Sequence, residues 1–246
     1  MQNDPILIHI PHSSVSIPTC EKRFFVKDDL SDELLRMTDL YTDELFDLDA
    51  DRLVFPVSRL VCDVERFRDD AAEPMAAKGM GLAYTRCSDG TALRYVSPQK
   101  RAAIVRKYYD THHRLFTEAV NEKLRTCGKS IIIDAHSFSA EPLPYENSSA
   151  RPDFCIGIDP FHTPERLYRI CENVLTERGF RVLRNEPFSG TIVPLTHLNK
   201  TANVSSIMIE INRGLYMTSD GKKSAGFEAV RLVIAEVIEA IKKDHF

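Results

Sequence analysis

Short apolar runs recur along this chain at 6–10, 52–57, 60–64, 130–139, 154–158, 180–183 and 204–211. Their lengths are those of strands, and the stretches between several of them carry helical periodicity. The run at 130–139 is the most informative. Ile131, Ile132 and Ile133 stand side by side, as in a strand buried on both faces of a parallel sheet, and the sequence then turns polar through Asp134, His136, Ser137 and Ser139. Ser31 can cap a helix to about Asp49, with Leu34, Thr38, Tyr41, Leu45 and Leu48 on its apolar face. Ser97-Pro98 supplies a cap and a first-turn proline for a helix that Gly128 stops. Thr163-Pro164-Glu165 opens another that ends at Gly179, and 226–243 forms an amphipathic closing helix. Segments 69–89 and 186–203 lack periodicity and contain proline and glycine; loops of that length in a compact domain are often functional. Residues 141–152, rich in proline and serine, form a further loop over the strand ends. Alternating strands and helices predict an α/β fold with a mixed, mostly parallel sheet and helices on both faces. With no repeat or linker, 1–246 reads as one domain.

In open α/β sheets, chemistry collects at the carboxyl ends of the strands. Four expected strand ends here are polar. They supply His12; Asp63, Glu65 and Arg66; His136; and Glu210, Asn212 and Arg213. Two histidines and several carboxylates at neighbouring ends suggest a metal site with a base beside it. Catalytic zinc takes three ligands of this type and leaves a position for water, whose pKa it lowers to about 7. His12 and His136 are the candidate ligands. Asp39, at the edge of the apolar stripe of the first helix, is the candidate third, with Asp63 and Glu65 as competitors. Glu210 interrupts the run Ile207-Met208-Ile209-Glu210-Ile211 and is the candidate general base and acid. Arg66 and Arg213 carry the planar fork that grips carboxylates, which points to an acidic substrate. Asn212, His113 and Ser137 join them as candidate substrate contacts, and His197 lies in the second long loop. His9, His162 and His245 read as structural or exposed.

Composition narrows the classes. The 246 residues carry 32 basic and 36 acidic side chains with no basic stripe or acidic tail, so no nucleic-acid partner is expected. No window approaches the roughly 18 apolar residues of a membrane span. Six scattered cysteines without C-x-x-C spacing read as reduced thiols in a cytoplasmic protein.

Several segments resemble the N-formylglutamate amidohydrolase family. They are Ile-Pro-His-Ser-Ser, Thr-Asp-Leu-Tyr-Thr-Asp-Glu-Leu, Ser-Arg-Leu-Val-Cys-Asp-Val-Glu-Arg, Tyr-Tyr-Asp-Thr-His-His, Asp-Ala-His-Ser-Phe-Ser and Ile-Glu-Ile-Asn-Arg-Gly-Leu-Tyr-Met, in that order across about residues 6 to 217. The resemblance implies a three-layer α/β/α, phosphorylase/hydrolase-like fold, related to zinc carboxypeptidases and muramoyl-alanine amidases. It implies Zn2+ at His12 and His136, with Glu210 catalytic. Carboxypeptidases place a glutamate three residues after the first histidine; Val15 stands there in this chain, and the amidase branch, which draws its acidic ligand from the following helix, favours Asp39. Better-known members carry Asp-x-Asn-Arg where this chain has Asp63-Val64-Glu65-Arg66. The expected activity is hydrolysis of the N-formyl or N-acyl amide of an acidic amino acid such as N-formylglutamate. The alternatives are a zinc amidase for muramyl peptides or other N-acyl amino acids, and a non-catalytic small-molecule-binding relative. A homo-oligomer is compatible with the pattern.

Overall fold

The computed structural model of the chain describes residues 4–146 and 149–244; His245 lies outside them. Six strands form one sheet: β1 (Ile6–Ile10), β2 (Asp51–Val54), β3 (Ser130–Phe138), β4 (Phe154–Gly157), β5 (Val182–Arg184) and β6 (Val204–Asn212). Their spatial order is β2-β1-β3-β6-β4-β5, with every pairing parallel except β4 against β6. The helices are α1 (Thr19–Lys22), α2 (Ser31–Met37), α3 (Thr42–Leu45), α4 (Pro98–Ile104), α5 (Asp110–Cys127), α6 (Glu165–Glu177) and α7 (Phe227–Lys243). This is the mixed, mostly parallel α/β architecture that the alternation of apolar runs predicts.

The period-2 alternation of strands sorts the core into two faces. Ile6, Ile8, Ile10, Ile131, Ile133, Ile207, Ile209 and Ile211 point to one face and pack with α6 and α7. Leu7, Ile132 and Val204 point to the other, where they meet Phe116 and Val120 of α5. Further along that second face the same alternation places His9, Asp134, His136, Met208 and Glu210. The second face thus changes from apolar to charged towards the carboxyl ends of the central strands.

Two segments depart from the expectation. The predicted helix from 31 to 49 breaks between α2 and α3. Tyr41 takes a left-handed conformation (φ 68°), the Asp39 amide donates to the His12 carbonyl at 3.0 Å, and the Arg213 guanidinium caps the end of α2 through the Arg36 carbonyl at 2.6 Å. These tertiary bonds override local helical propensity. The run at 60–64 is not a strand. Its Val61 carbonyl accepts from Arg94 and its Asp63 amide donates to the Leu82 carbonyl, so its apolar side chains are buried under loops rather than in the sheet. The predicted helix from Ser97 forms as α4 and α5 joined by one widened π turn at Val105–Tyr109, with the Ser97 hydroxyl accepting from the Lys100 amide and Gly128 (φ 74°) closing the end. The Thr163 hydroxyl does not cap α6 as expected; it donates to the Ser206 carbonyl. Among the described residues no helix is long and apolar enough to cross a membrane.

Candidate active site

His12 follows β1 and is buried, with 1% of its surface exposed. Its Nε2 lies 3.0 Å from Asp63 Oδ1. Asp63 also receives Arg59 at 2.8 Å and the Tyr84 hydroxyl at 2.8 Å. Arg59, His12 and Arg66 hold the Asp63 carboxyl well below its ordinary range despite its burial. An ionised carboxylate only accepts, so His12 Nε2 carries the proton and Nδ1 presents a lone pair. That Nδ1 is buried without a hydrogen-bond partner.

His136, near the end of β3, repeats the arrangement. Its Nε2 lies 3.2 Å from Asp134 Oδ1, and its Nδ1 lies 3.1 Å from Asp39 Oδ2. The same Asp39 oxygen stands 3.7 Å from His12 Nδ1, while Asp39 Oδ1 receives Arg213 at 2.8 Å. Glu65 approaches from the other flank. Its Oε2 is 3.6 Å from His12 Nδ1 and 3.0 Å from His136 Nε2. Ligating atoms of His12, Glu65 and His136 lie within 4.8 Å of one another, as do those of His9, Glu65 and Asp134. Both Asp39 and Glu65 therefore reach the two histidines, from opposite ring nitrogens of His136.

Glu210 lies on β6 directly beside His136 in the parallel register. Its Oε2 is buried and has no hydrogen-bond partner. Burial pushes the Glu210 carboxyl up to about 8, against the pull of His136 and with the push of Asp39. Burial opposes charge on the histidines too, yet Glu65 and Asp134 carry His136 well above its ordinary value; Asp63 and Asp39 raise His12, against Arg59. Five largely buried carboxylates (Asp39, Asp63, Glu65, Asp134, Glu210) face three guanidiniums (Arg59, Arg66, Arg213). This excess of negative charge raises both histidines and adds to burial at Glu210. One divalent cation would cancel the same charge. Orphaned His12 Nδ1 and the oxygen and nitrogen donors around it fit such an ion.

The signs fix how the metal-free protein responds to pH. A group raised on folding, as His12, His136 and Glu210 are, contributes stability at low pH that is lost as pH rises through its folded value. Groups lowered on folding, as Asp39 and Asp63 are, contribute stability above the ordinary carboxylate range that is lost as pH falls. The chelator-treated protein should therefore unfold at the highest urea concentration between about pH 4 and 5, above the ordinary value of the aspartates and before Glu210 begins to lose its contribution, and should weaken steadily towards pH 8. Adding a divalent cation should flatten the alkaline limb. A urea midpoint that stays level from pH 6 to 9 without metal would contradict this account.

These groups line a cavity of about 650 Å3, together with residues of both long loops. Arg66 lies on its wall, with Nε 3.4 Å from Asp63. His113 also lines it and is held by the Val64 carbonyl at 2.7 Å; burial lowers its pKa. Ser137 accepts from Arg213 Nε at 3.1 Å. Arg213 is buried and its donors go to Asp39, Ser137 and the Arg36 carbonyl. Asn212 bonds the Pro152 carbonyl and the Gly214 amide and does not line the cavity. His197 bonds Thr201 and Asn121, away from the site.

Three residues passed over as site candidates prove central to this cluster. Arg59 pairs with Asp63 four positions on, a spacing that has meaning in sequence only on a helix. Asp134 and His9 sit at alternate positions on the strands that carry the site, the signal that could have found them. His9 Nδ1 lies 3.0 Å from Asp134 Oδ1, and its Nε2 lies 2.9 Å from His112 Nε2, extending the polar chain from His136 into α5. Burial and the neighbouring histidines lower His112 to about 2, so that chain ends on a neutral ring.

Known structures share this arrangement of strands and helices. An N-formylglutamate amidohydrolase from Ralstonia eutropha JMP134 superposes with a TM-score of 0.80 at 23% identity, over 97% of this chain and 93% of that one. A gene product of Agrobacterium tumefaciens superposes with a TM-score of 0.67 at 18% identity, over 97% of this chain and 90% of that one. At such identities the likeness is one of fold. No curated protein matches the sequence. The model of the N-formylglutamate amidohydrolase family matches residues 4–217, a span that contains all six strands and every charged residue of the buried cluster. On that match, this chain belongs to the N-formylglutamate amidohydrolase family of hydrolases.

Proposed function

We propose that this protein is a metal-dependent amidohydrolase that cleaves the N-formyl amide of N-formylglutamate, releasing formate and glutamate. The observation that carries the metal is His12 Nδ1, a buried lone pair facing a carboxylate oxygen that already lies against His136. Of the two flanking carboxylates we assign Asp39 as the third ligand. With Asp39, both histidines offer Nδ1 and both rest their Nε2–H on a buried aspartate, the usual second-shell support for a ligating imidazole. The other Asp39 oxygen is held by Arg213, which fixes its direction. A divalent ion such as Zn2+, when bound there, supplies a Lewis acid and lowers the pKa of water.

The remaining work falls to the chain's own side chains. Glu210 takes a proton from the attacking water and returns it to the leaving nitrogen, so that the C–N bond breaks as a neutral amine departs. Burial keeps water from competing for that proton. A cation beside Glu210 opposes the effect of burial and brings its ionisation towards neutral pH. Arg66, on the cavity wall, attracts the substrate carboxylates; Arg59, also on the wall, is already paired with Asp63 and serves chiefly to orient that carboxylate. His113 lines the same cavity.

The test is formate release from N-formylglutamate, before and after dialysis against chelator and after Zn2+ is restored. The expected result is turnover that chelation abolishes and metal recovers. Full activity in protein shown by elemental analysis to hold no divalent metal would refute the reading.

A further inference from the structure

Two unlike sets of side chains line the cavity. Arg59 and Arg66, from the segment after β2, and Lys78 are cationic. Phe188, Ile192, Val193, Leu195 and Leu198, from the loop that leads into β6, and Met208 of β6 form a second, apolar flank. This second flank is built. The Ile192 amide donates to Asp134 Oδ2 at 3.2 Å, and Val193 and Leu198 pack on the Phe116 cluster of the second face. A β-carbon at Gly157 would come within 2.2 Å of the Gly190 carbonyl and 2.4 Å of Met208, so the loop sits tightly on the sheet. Yet Leu195 is 58% exposed at the cavity, an apolar side chain placed where nothing in the fold covers it.

A formyl group extends only a hydrogen atom beyond its carbonyl carbon. It needs no apolar wall. N-formylglutamate has about twelve non-hydrogen atoms, whereas cavities of roughly 300–1,000 Å3 receive ligands several times larger. The cavity here measures about 650 Å3. If the amide carbon sits between His136 and Glu210 and the carboxylates turn to the arginines, the apolar flank is left for the acyl substituent. Resting on the amidohydrolase reading above, we propose that the site cleaves, in preference to the formyl compound, amides of acidic amino acids bearing an apolar acyl group larger than acetyl, held against the Phe188–Leu198 wall. Burial of each added methylene against that wall favours the transition state, provided the chain has reached the wall.

The experiment compares N-formyl-, N-acetyl-, N-butanoyl-, N-hexanoyl- and N-benzoylglutamate by amine release, in the metal-loaded protein and in a Leu195→Asp variant, with calorimetric binding of each compound in parallel. Leu195 is exposed, so the variant should fold. The expected result is kcat/KM at least about tenfold higher for the hexanoyl or benzoyl compound than for the formyl one, and a ratio that falls about tenfold in Leu195→Asp. Cleavage of N-formylglutamate with rates that decline as the acyl group lengthens would overturn this inference and leave the proposed function standing. If none of the five is cleaved, the proposed function fails. Calorimetry then decides the acyl wall alone: tighter binding of the hexanoyl compound, weakened in Leu195→Asp, supports it, and equal or absent binding overturns it.

Discussion

Replacing Glu210 with glutamine will lower kcat for the proposed hydrolysis by about 10²–10⁴-fold, the range expected when a positioned proton carrier is lost. Glutamine keeps the shape of the side chain but can neither take a proton from water nor return one to the departing nitrogen. KM should change little, because Glu210 lies beside His136 on the sheet rather than among the arginines. Stability should hold or rise, most visibly above pH 8. Burial already disfavours the Glu210 carboxylate, and its Oε2 has no partner to compensate when it ionises. The amide carries no charge to bury. Bound metal should be unaffected. A Glu210→Gln enzyme with wild-type kcat removes Glu210 from the chemistry, and one that has lost its metal makes it a ligand.

The second large effect is at Asp39. In Asp39→Asn the two histidines lose the carboxylate oxygen that faces both Nδ1 atoms, and buried Arg213 loses the only carboxylate partner it has among the described residues. An uncompensated buried guanidinium costs about 3–5 kcal/mol, part of which Arg213 recovers through the Arg36 and Ser137 oxygens. We expect a loss near 3 kcal/mol in urea unfolding and at least a hundredfold weaker Zn2+ affinity by equilibrium dialysis. Glu65→Gln is the matched comparison. It leaves Arg213 paired and removes a carboxylate that is partly open to the cavity, so it should keep both stability and metal. The reverse pattern, with Asp39→Asn loaded and Glu65→Gln empty, would transfer the ligand role to Glu65.

How much of this was legible beforehand differs residue by residue. His12, His136 and Glu210 stand out because each breaks an apolar run, and parallel pairing of β1, β3 and β6 brings such breaks together. Asp39 was a candidate as a carboxylate on the edge of one long helix, with Asp63 and Glu65 as competitors. What places it is instead the break at Tyr41, which depends on bonds to His12 and Arg213, far away in sequence. The run at 60–64 looked like a strand because apolar residues buried under a loop share the composition of a strand. Asp63 and Glu65 still reached the site, through turns rather than along a sheet edge. His9 and Asp134 were hidden by the burial of their strands on both faces, since an apolar run does not say which of its neighbours will be charged.

The cap that Arg213 places on α2 has a kinetic consequence. It ties residues near the start of the chain to one near its end, and β3 must pair with a strand more than seventy residues later before Glu210 meets His136. Contacts of such separation form late and slowly. A nascent chain therefore holds His12, Asp39 and His136 unsecured until β6 has emerged, and on the proposed metal reading, metal uptake would report completed folding. Refolding followed by a metal-sensitive dye should show metal uptake in step with the last structural phase, with added metal slowing unfolding far more than it speeds folding.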